Sequence, residues 1–354
     1  MVLYHIVIDR FAVDDNSVGE VCFKGGNLKG ILSAIDYIQS LGAEGIMLTP
    51  FYKTDAYHGY HITDYEQVDP HFGSWYDVRQ LVDEMHLRGM KIVADFVANH
   101  CHEKNHLYTD GKHRDWFRYN KDGNVKGFAG FRFLPMLDTD NPAVREYLTE
   151  RALELCRLGF DAIRLDHATG PSYGFWRYFR NRIKQQFPKV QLIGEVWGEM
   201  DFKPSCRLRY LFNSLRYSTQ EARQMEYIGI LDGILDFSYQ QMLCDAAHNA
   251  ASIINNRKLS KKVKSHFKRY PKNYELWLFL DNHDLNRFLF ECGQNKELLH
   301  EGIEFSKKCK KPLLMYYGTE LEFTNDKDIF DGTPYADERV RPCFGRSFNS
   351  SAFP

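Results

Sequence analysis

Eight short runs rich in β-branched and other apolar residues, spaced along the chain with amphipathic stretches between them, leave it few possible folds. The runs cover residues 3–9, 45–49, 91–97, 160–166, 190–196, 233–237, 275–281 and 312–318. Apolar residues recur at helical spacing over 27–41, 75–88, 142–158, 175–187, 239–256 and 296–308. Several boundaries are explicit: Asn141-Pro142 reads as a cap followed by proline in the first helical turn, and Gly89 and Gly159 stand just past helix ends. Strands alternating with helices imply a parallel sheet, and eight such units close on themselves. The expected fold class is therefore α/β, a (β/α)8 TIM barrel with all strand C-terminal ends on one face. Its 354 residues suit one barrel with insertions.

Acids stand at or just past the ends of three of these runs: Asp166 in Gly159-Phe-Asp-Ala-Ile-Arg-Leu-Asp166, Glu195 in Leu192-Ile-Gly-Glu-Val-Trp197, and Asp284 in Phe279-Leu-Asp-Asn-His-Asp284. Burying an unpaired carboxylate is expensive, so acids at the ends of separate strands point to one shared cavity. A single such acid could equally be a surface or ion-pairing residue; three together read as an active site. Glycosidic bond cleavage needs this set, a carboxylate on one side of the bond and a protonated carboxyl on the other. Asp166 and Glu195 would end adjacent strands, within reach of the roughly 5–5.5 Å separation of retaining enzymes. Arg164, two residues before Asp166, shares its strand face and can keep that acid ionised. Glu195 stands between Gly194 and Val196-Trp197, an apolar setting expected to raise its pKa and hold the proton of a general acid.

Composition excludes other classes. Lys and Arg total 46 against 47 for Asp and Glu, so no field favours nucleic acid. The eight cysteines are scattered, with no CxxC pair and no metal-ligand spacing, which predicts a reduced, cytoplasmic setting without a disulfide framework. Residues 1–10 lack the pattern of a secretory leader, so secretion would require one outside this sequence. No run of about 18 apolar residues suggests a membrane span. Aromatics make up 15% of the chain, which suits a cleft that stacks sugar rings, although core packing accounts for most of them.

Residues 100–141, after the third strand, form too long a segment for a simple loop and are expected to fold over the cleft, with Lys121-Asp-Gly-Asn124 as a hairpin-type turn. After Gly318 no amphipathic helix of normal length follows, only Gly332-Thr-Pro334 and the polar end 347–354. The eighth helix is expected to be degenerate or missing. The barrel surface it would cover is then expected to be covered by the C-terminal tail or by a second subunit, which leaves room for a homo-oligomer.

The chain resembles the alpha-amylase family of glycoside hydrolases, family 13, over nearly its whole length. Asp95-Phe-Val-Ala-Asn-His100 looks like the family's first signature, Leu134-Pro-Met-Leu-Asp138 the helper motif, 159–166 the second, Gly194-Glu-Val-Trp197 the third and Phe279-Leu-Asp-Asn-His-Asp284 the fourth. Tyr316-Tyr-Gly-Thr-Glu320 resembles the end of the eighth strand. Each motif alone is weak; the set in order on the expected strands is specific. The resemblance implies Asp166 as nucleophile, Glu195 as general acid/base and Asp284 as the third carboxylate, binding sugar hydroxyls and stabilising the transition state. It implies that Arg164, His100 and His283 line the same subsite, and that Tyr60 stacks on the reacting sugar. Trp197 either floors the leaving-group side or packs on the barrel rim.

The departures from the family pattern carry information too. Many members have a Lys-His pair shortly after the nucleophile, where this chain reads Asp166-His-Ala-Thr-Gly-Pro171. His167, the next residue along, is expected to point away from the Asp166 side. Asn99 matches the family's calcium-binding asparagine, so the resemblance allows a Ca2+ ion there without requiring one. No organic cofactor is implied. A C-terminal β-sandwich and a starch-binding module are not expected. The reading is one catalytic barrel, residues 1–354, that hydrolyses α-1,4-glucosidic bonds of maltooligosaccharides or other α-glucans with retention. A transglycosylase using the same covalent intermediate is the alternative, and a non-catalytic carbohydrate-binding relative the less favoured one.

Overall fold

The computed structural model describes residues 1–13, 22–198, 200–249 and 251–345. Eight parallel strands close into a barrel: β1 (Val2–Ile6), β2 (Gly45–Leu48), β3 (Lys91–Val97), β4 (Ala162–Asp166), β5 (Gln191–Gly194), β6 (Gly233–Leu235), β7 (Glu275–Phe279) and β8 (Leu313–Tyr316). Each lies in one of the eight apolar runs of the sequence, and each pairs with its neighbours in chain order, β1 closing on β8. Alternation divides every strand. Leu3, Met47, Val93, Ala162, Ile193, Leu235, Trp277 and Leu314 point inward and fill the barrel, while residues between them, such as Ile163 and Leu192, pack against the helices outside.

The helices match in part. Trp75–Leu87, Pro142–Leu158 and Lys296–Lys308 stand almost where periodicity puts them. Asn141 accepts the Ala143 amide at 2.9 Å, Pro142 opens the helix, and Gly159 closes it at φ 106°, a left-handed conformation that glycine adopts without strain. Two expectations need correction. Residues 27–41 are two short helices, Leu28–Ser33 and Ile35–Ser40, broken at Ala34. Residues 239–256 do not form one helix: Phe237–Asn249 ends early, and Asn256 caps a new helix, Arg257–Phe267, by accepting the Leu259 amide. Helices Arg207–Arg216 and Thr219–Met225 were not anticipated, nor was the antiparallel hairpin of Tyr52–Thr54 with Ile62–Val68.

The segment 100–141 folds back on itself through antiparallel bridges at His100–Met136, Phe117–Leu137, Tyr119–Val125 and Gly127–Pro135, with the turn at 121–124 as expected. After β8 the eighth helix is missing from the described residues; 3-10 turns at Thr319–Leu321 and Ala336–Val340 stand instead. The apolar surface there is covered by the chain itself. Phe344–Gly345 pairs in parallel with Phe11–Val13, and Phe344 packs on Phe11 at 4.9 Å and on Tyr37 at 5.7 Å. The polar end 347–354 lies outside the described residues. No C-terminal β-sandwich occurs among the described residues.

Where the strand ends of β6 and β7 meet the helices outside, His266 is fully buried between Asp236 and Glu221, each 2.8 Å away, and Arg269 closes on Glu221 at 2.5 Å. Burial alone would lower the imidazole pKa, but the two carboxylates overcome it and raise it to about 9. A raised folded-state pKa stabilises the fold fully below the unfolded value of 6.5, and that contribution disappears as pH rises through 9. Urea unfolding should therefore show stability falling from pH 6.5 to 9, and His266→Gln should flatten this slope. An unchanged slope in the variant would show that another group carries it.

Candidate active site

The β3–β4 register sets Asp95 opposite Arg164 and Val97 opposite Asp166. Alternation along β4 then sends Ala162, Arg164 and Asp166 to the inner face, so the guanidinium sits directly above the barrel's apolar filling. It is 1% exposed. Its Nη1 donates to Asp95 and to Asp166, each at 2.8 Å, and Nη2 meets Glu195 Oε1 at 2.6 Å. One planar fork thus holds Asp166 and Glu195 on adjacent nitrogens, which keeps the two carboxyl groups close together. Tyr60 donates its hydroxyl to Asp95 Oδ2 at 2.7 Å, an oxygen that Arg164 Nη1 also reaches at 2.8 Å.

Glu195 also accepts the backbone N–H of His167 at 2.9 Å. Its surroundings are therefore a cation and an amide, not the apolar pocket expected from its sequence neighbours. Burial pushes the Asp166 carboxyl well above its ordinary range; Glu195, Asp95 and Asp284 add to this, and Arg164 opposes it. Asp95 is raised to about 6, again by burial, with Arg164 opposing. Three carboxyl groups around one guanidinium carry more negative charge than it neutralises, which adds to burial in opposing ionisation of Asp95 and Asp166.

Asp284, beyond the end of β7, is held from the other side. Arg341 Nη2 donates to it at 3.0 Å and His283 Nε2 lies 3.1 Å away. Arg341 further donates to the Tyr57 hydroxyl at 3.0 Å and pairs with Asp337 at 2.6 Å. Tyr60 lies parallel to His283, with ring centroids 5.2 Å apart, and His100 lies parallel to Phe128 at 4.4 Å. Burial keeps these imidazoles neutral. His58 and His283 fall well below their usual value, His61 to about 4 and His100 to about 3.

A cavity of about 520 Å³ opens over this arrangement. Asp166, Glu195, Asp284, Tyr60, His100, His283 and Trp197 all line it, and Arg164 lies beneath its floor. Trp197 packs parallel to Phe237, with the ring centroids 5.3 Å apart, and also lines the cavity. His167 is a correction. It lines the same cavity as Asp166, because β4 ends at Asp166 and the chain turns at His167 with φ 40°, where strand alternation no longer applies. Its Nε2 lies 3.7 Å from Asp201, which pairs with Lys126 of the inserted segment at 2.5 Å.

Asn99 is fully buried, and neither its amide oxygen nor its nitrogen has a hydrogen-bond partner. Such an orphan would suit a cation, but the surroundings do not. Gly170 presses so close that a Cβ there would stand 2.1 Å from Asn99 Oδ1, and Arg118 donates to the Gly170 carbonyl and the Thr139 hydroxyl, both at 3.2 Å. Among the described residues no three His, Cys, Asp or Glu side chains group as metal ligands. Ca2+ prefers several hard oxygens including carboxylates. With a guanidinium beside the candidate ligand and no carboxylate set, the residues present do not fit that ion.

Several residues of the site escaped the sequence reading. Asp95 is an acid inside the apolar run Ile92-Val-Ala-Asp-Phe-Val97, the same signal that exposed the other three. Phe128 lay within a segment read only as a cover. Arg341 and Asp337 had no local signal; Arg341 reaches Asp284 across 57 positions, and Asp337 pairs with Arg341.

The model of the alpha-amylase catalytic domain matches residues 5–344. The chain is 32% identical to alpha-amylase 2 of Dictyoglomus thermophilum over 96% of its own length and 58% of the relative's. It is 30% identical to the intracellular maltogenic amylase of Bacillus subtilis over 86% of this chain and 50% of that one. It thus spans little more than half the length of these curated relatives. Among solved structures, the acarbose complex of the alpha-amylase from Geobacillus thermoleovorans aligns with a TM-score of 0.75 at 29% identity, covering 95% of this chain and 73% of the other.

Removing the buried cation would leave three carboxyl groups facing one another. Arg164→Met should lower unfolding free energy at pH 7 by about 3–5 kcal/mol in urea titrations. The deficit should shrink at pH 5, as the acids take up protons. A loss below about 1 kcal/mol, of the size seen for exposed pairs, would contradict the role given to the guanidinium.

Proposed function

The chain belongs to the alpha-amylase family of glycoside hydrolases, and from that membership we propose that it hydrolyses α-1,4-glucosidic bonds of maltooligosaccharides or related α-glucans with retention of configuration. The observation that carries this reading is the shared guanidinium, which holds Asp166 and Glu195 side by side as double displacement requires. Asp166 attacks the anomeric carbon while Glu195 protonates the departing oxygen. Glu195, now ionised, takes a proton from water, and that water releases the glycosyl group from Asp166. Attack requires Asp166 ionised and the proton on Glu195. Arg164 favours the ionised form of Asp166, against its burial.

Asp284, aimed by Arg341 and His283, contacts sugar hydroxyls and stabilises the positive charge of the oxocarbenium-like transition state. Tyr60, parallel to His283, supplies an aromatic face for the reacting ring. Neutral His100 and His283 offer hydrogen bonds without adding positive charge next to a developing cation. The reading includes a cytoplasmic location, by likeness to the intracellular maltogenic amylase of Bacillus subtilis.

Glu195→Gln should lower kcat on maltoheptaose by about 10²–10⁴-fold, and Asp166→Asn by at least as much, with no fall in melting temperature. Nuclear magnetic resonance of the first products should show the α anomer, and a time course should yield sugars shorter than the substrate. Initial β products would exclude double displacement; oligosaccharides longer than maltoheptaose would assign the enzyme to glucan transfer instead. Near-normal turnover in either variant would remove the assignment.

A further inference from the structure

Helix Arg207–Arg216 is built inside out. Its apolar residues Leu208, Leu211, Phe212 and Leu215 recur at i, i+3, i+4 and i+7 and so share one face, a pattern that in Lys296–Lys308 is buried. Here the four are 80%, 55%, 63% and 81% exposed. The opposite side holds the helix to the protein. Arg209 Nε donates to Glu226 at 3.1 Å, its Nη2 donates to Ser205 at 2.7 Å, and Tyr210 lies against Phe202 with ring centroids 5.2 Å apart. A single exposed leucine is ordinary, but a continuous apolar helix face turned to water marks a surface with an occupant.

Charge identifies that occupant. The helix carries three arginines and no acid, on a chain whose net charge is -1. At about 100° per residue, Arg207 and Arg216 border the apolar face on its two sides. Neither forms an ion pair among the described residues; Arg216 lies over the Tyr217 ring at 5.5 Å. Exposed Lys203 precedes the helix. A second copy of the chain fits this face poorly. Packed parallel or antiparallel, two such helices would bring arginine borders together with no acid between them. Four apolar residues per copy also fall far short of the roughly 20–30 residues a side of a stable interface.

An anionic bilayer surface fits both features. The leucines and Phe212 can enter the acyl boundary while the flanking guanidinium groups meet lipid phosphates. Ten residues rise only about 15 Å, half the hydrocarbon thickness, so such a helix lies on a membrane and does not span it. We propose that Arg207–Arg216 docks the protein on a bilayer of anionic phospholipid, with the helix in the plane of the interface. The docking is independent of the reaction assigned to the cleft.

The test is cosedimentation of the full chain with vesicles. At about 50 mM salt, vesicles of equal parts phosphatidylglycerol and phosphatidylcholine should bind it at least about tenfold more tightly than phosphatidylcholine alone, and about 500 mM salt should remove the difference. Leu211→Glu combined with Leu215→Glu, at exposed positions outside the cleft, should weaken binding at least about tenfold and leave melting temperature and maltoheptaose turnover unchanged. Arg207→Gln combined with Arg216→Gln should weaken it about tenfold on the anionic vesicles only. Equal affinity for both kinds of vesicle, no binding to either, or undiminished binding by the double glutamate variant would overturn the proposal. So would a dimer in light scattering that the same glutamates dissolve, because a second copy would then occupy the face. Vesicle binding is read without turnover, so loss of the hydrolase reading leaves this result standing and the reverse holds too.

Discussion

A single buried guanidinium organises the centre of this protein. Arg164 lies above the barrel's apolar filling with almost no access to water, a position that an unpaired cation could not occupy. It is tolerated because Asp95, Asp166 and Glu195 converge on it from three neighbouring strands. The dependence is mutual. The acids at those strand ends are kept from mutual repulsion by the same group, and their number exceeds what one cation neutralises. The surplus leaves the cluster ready to bind a proton, a property that hydrolysis by paired carboxyl groups requires.

The barrel supplies this arrangement through register alone. Pairing of β3 with β4 places Asp95 opposite Arg164, and the two-residue period carries Asp166 to the same face one step higher. A one-residue slip between these strands would turn Arg164 outward into the helix layer. The elements outside the regular repeat then complete the site. The inserted segment brings Phe128 against His100 and Lys126 against Asp201, the hairpin after β2 delivers Tyr60, and the segment after β8 delivers Arg341. That last segment also covers the surface left by the missing eighth helix.

The strands and the three carboxylates could be read from the sequence because each signal is local: an apolar run with an acid at its end. Asp95 carries the same kind of signal, an acid in an apolar run, but lies two residues inside its strand instead of at the end. Arg341 could not be read, since its partner Asp284 is remote in the chain and only the closed fold brings them together. His167 was misdirected by extending strand alternation one residue past the strand's end, where a positive φ turns the backbone. The setting of Glu195 was misjudged for a related reason: its chain neighbours are apolar, but what touches its carboxyl comes from β4 and the turn after it. Helix Arg207–Arg216 carries Leu208, Leu211, Phe212 and Leu215 at helical spacing, a signal that went unread, and this apolar face is exposed.

The histidines around the cleft have a consequence of their own. His58, His61, His100 and His283 are deprived of water so thoroughly that none gains charge until the medium is well into the acid range. A cleft walled by ordinary surface imidazoles would become cationic on mild acidification and would repel the incipient positive charge on a sugar ring. Here those rings act as constant dipoles instead. On acidification Asp95, raised to about 6, takes up a proton before His61 at about 4 or His100 at about 3 gains one, so the acid beneath the cleft responds ahead of these rings that shape it.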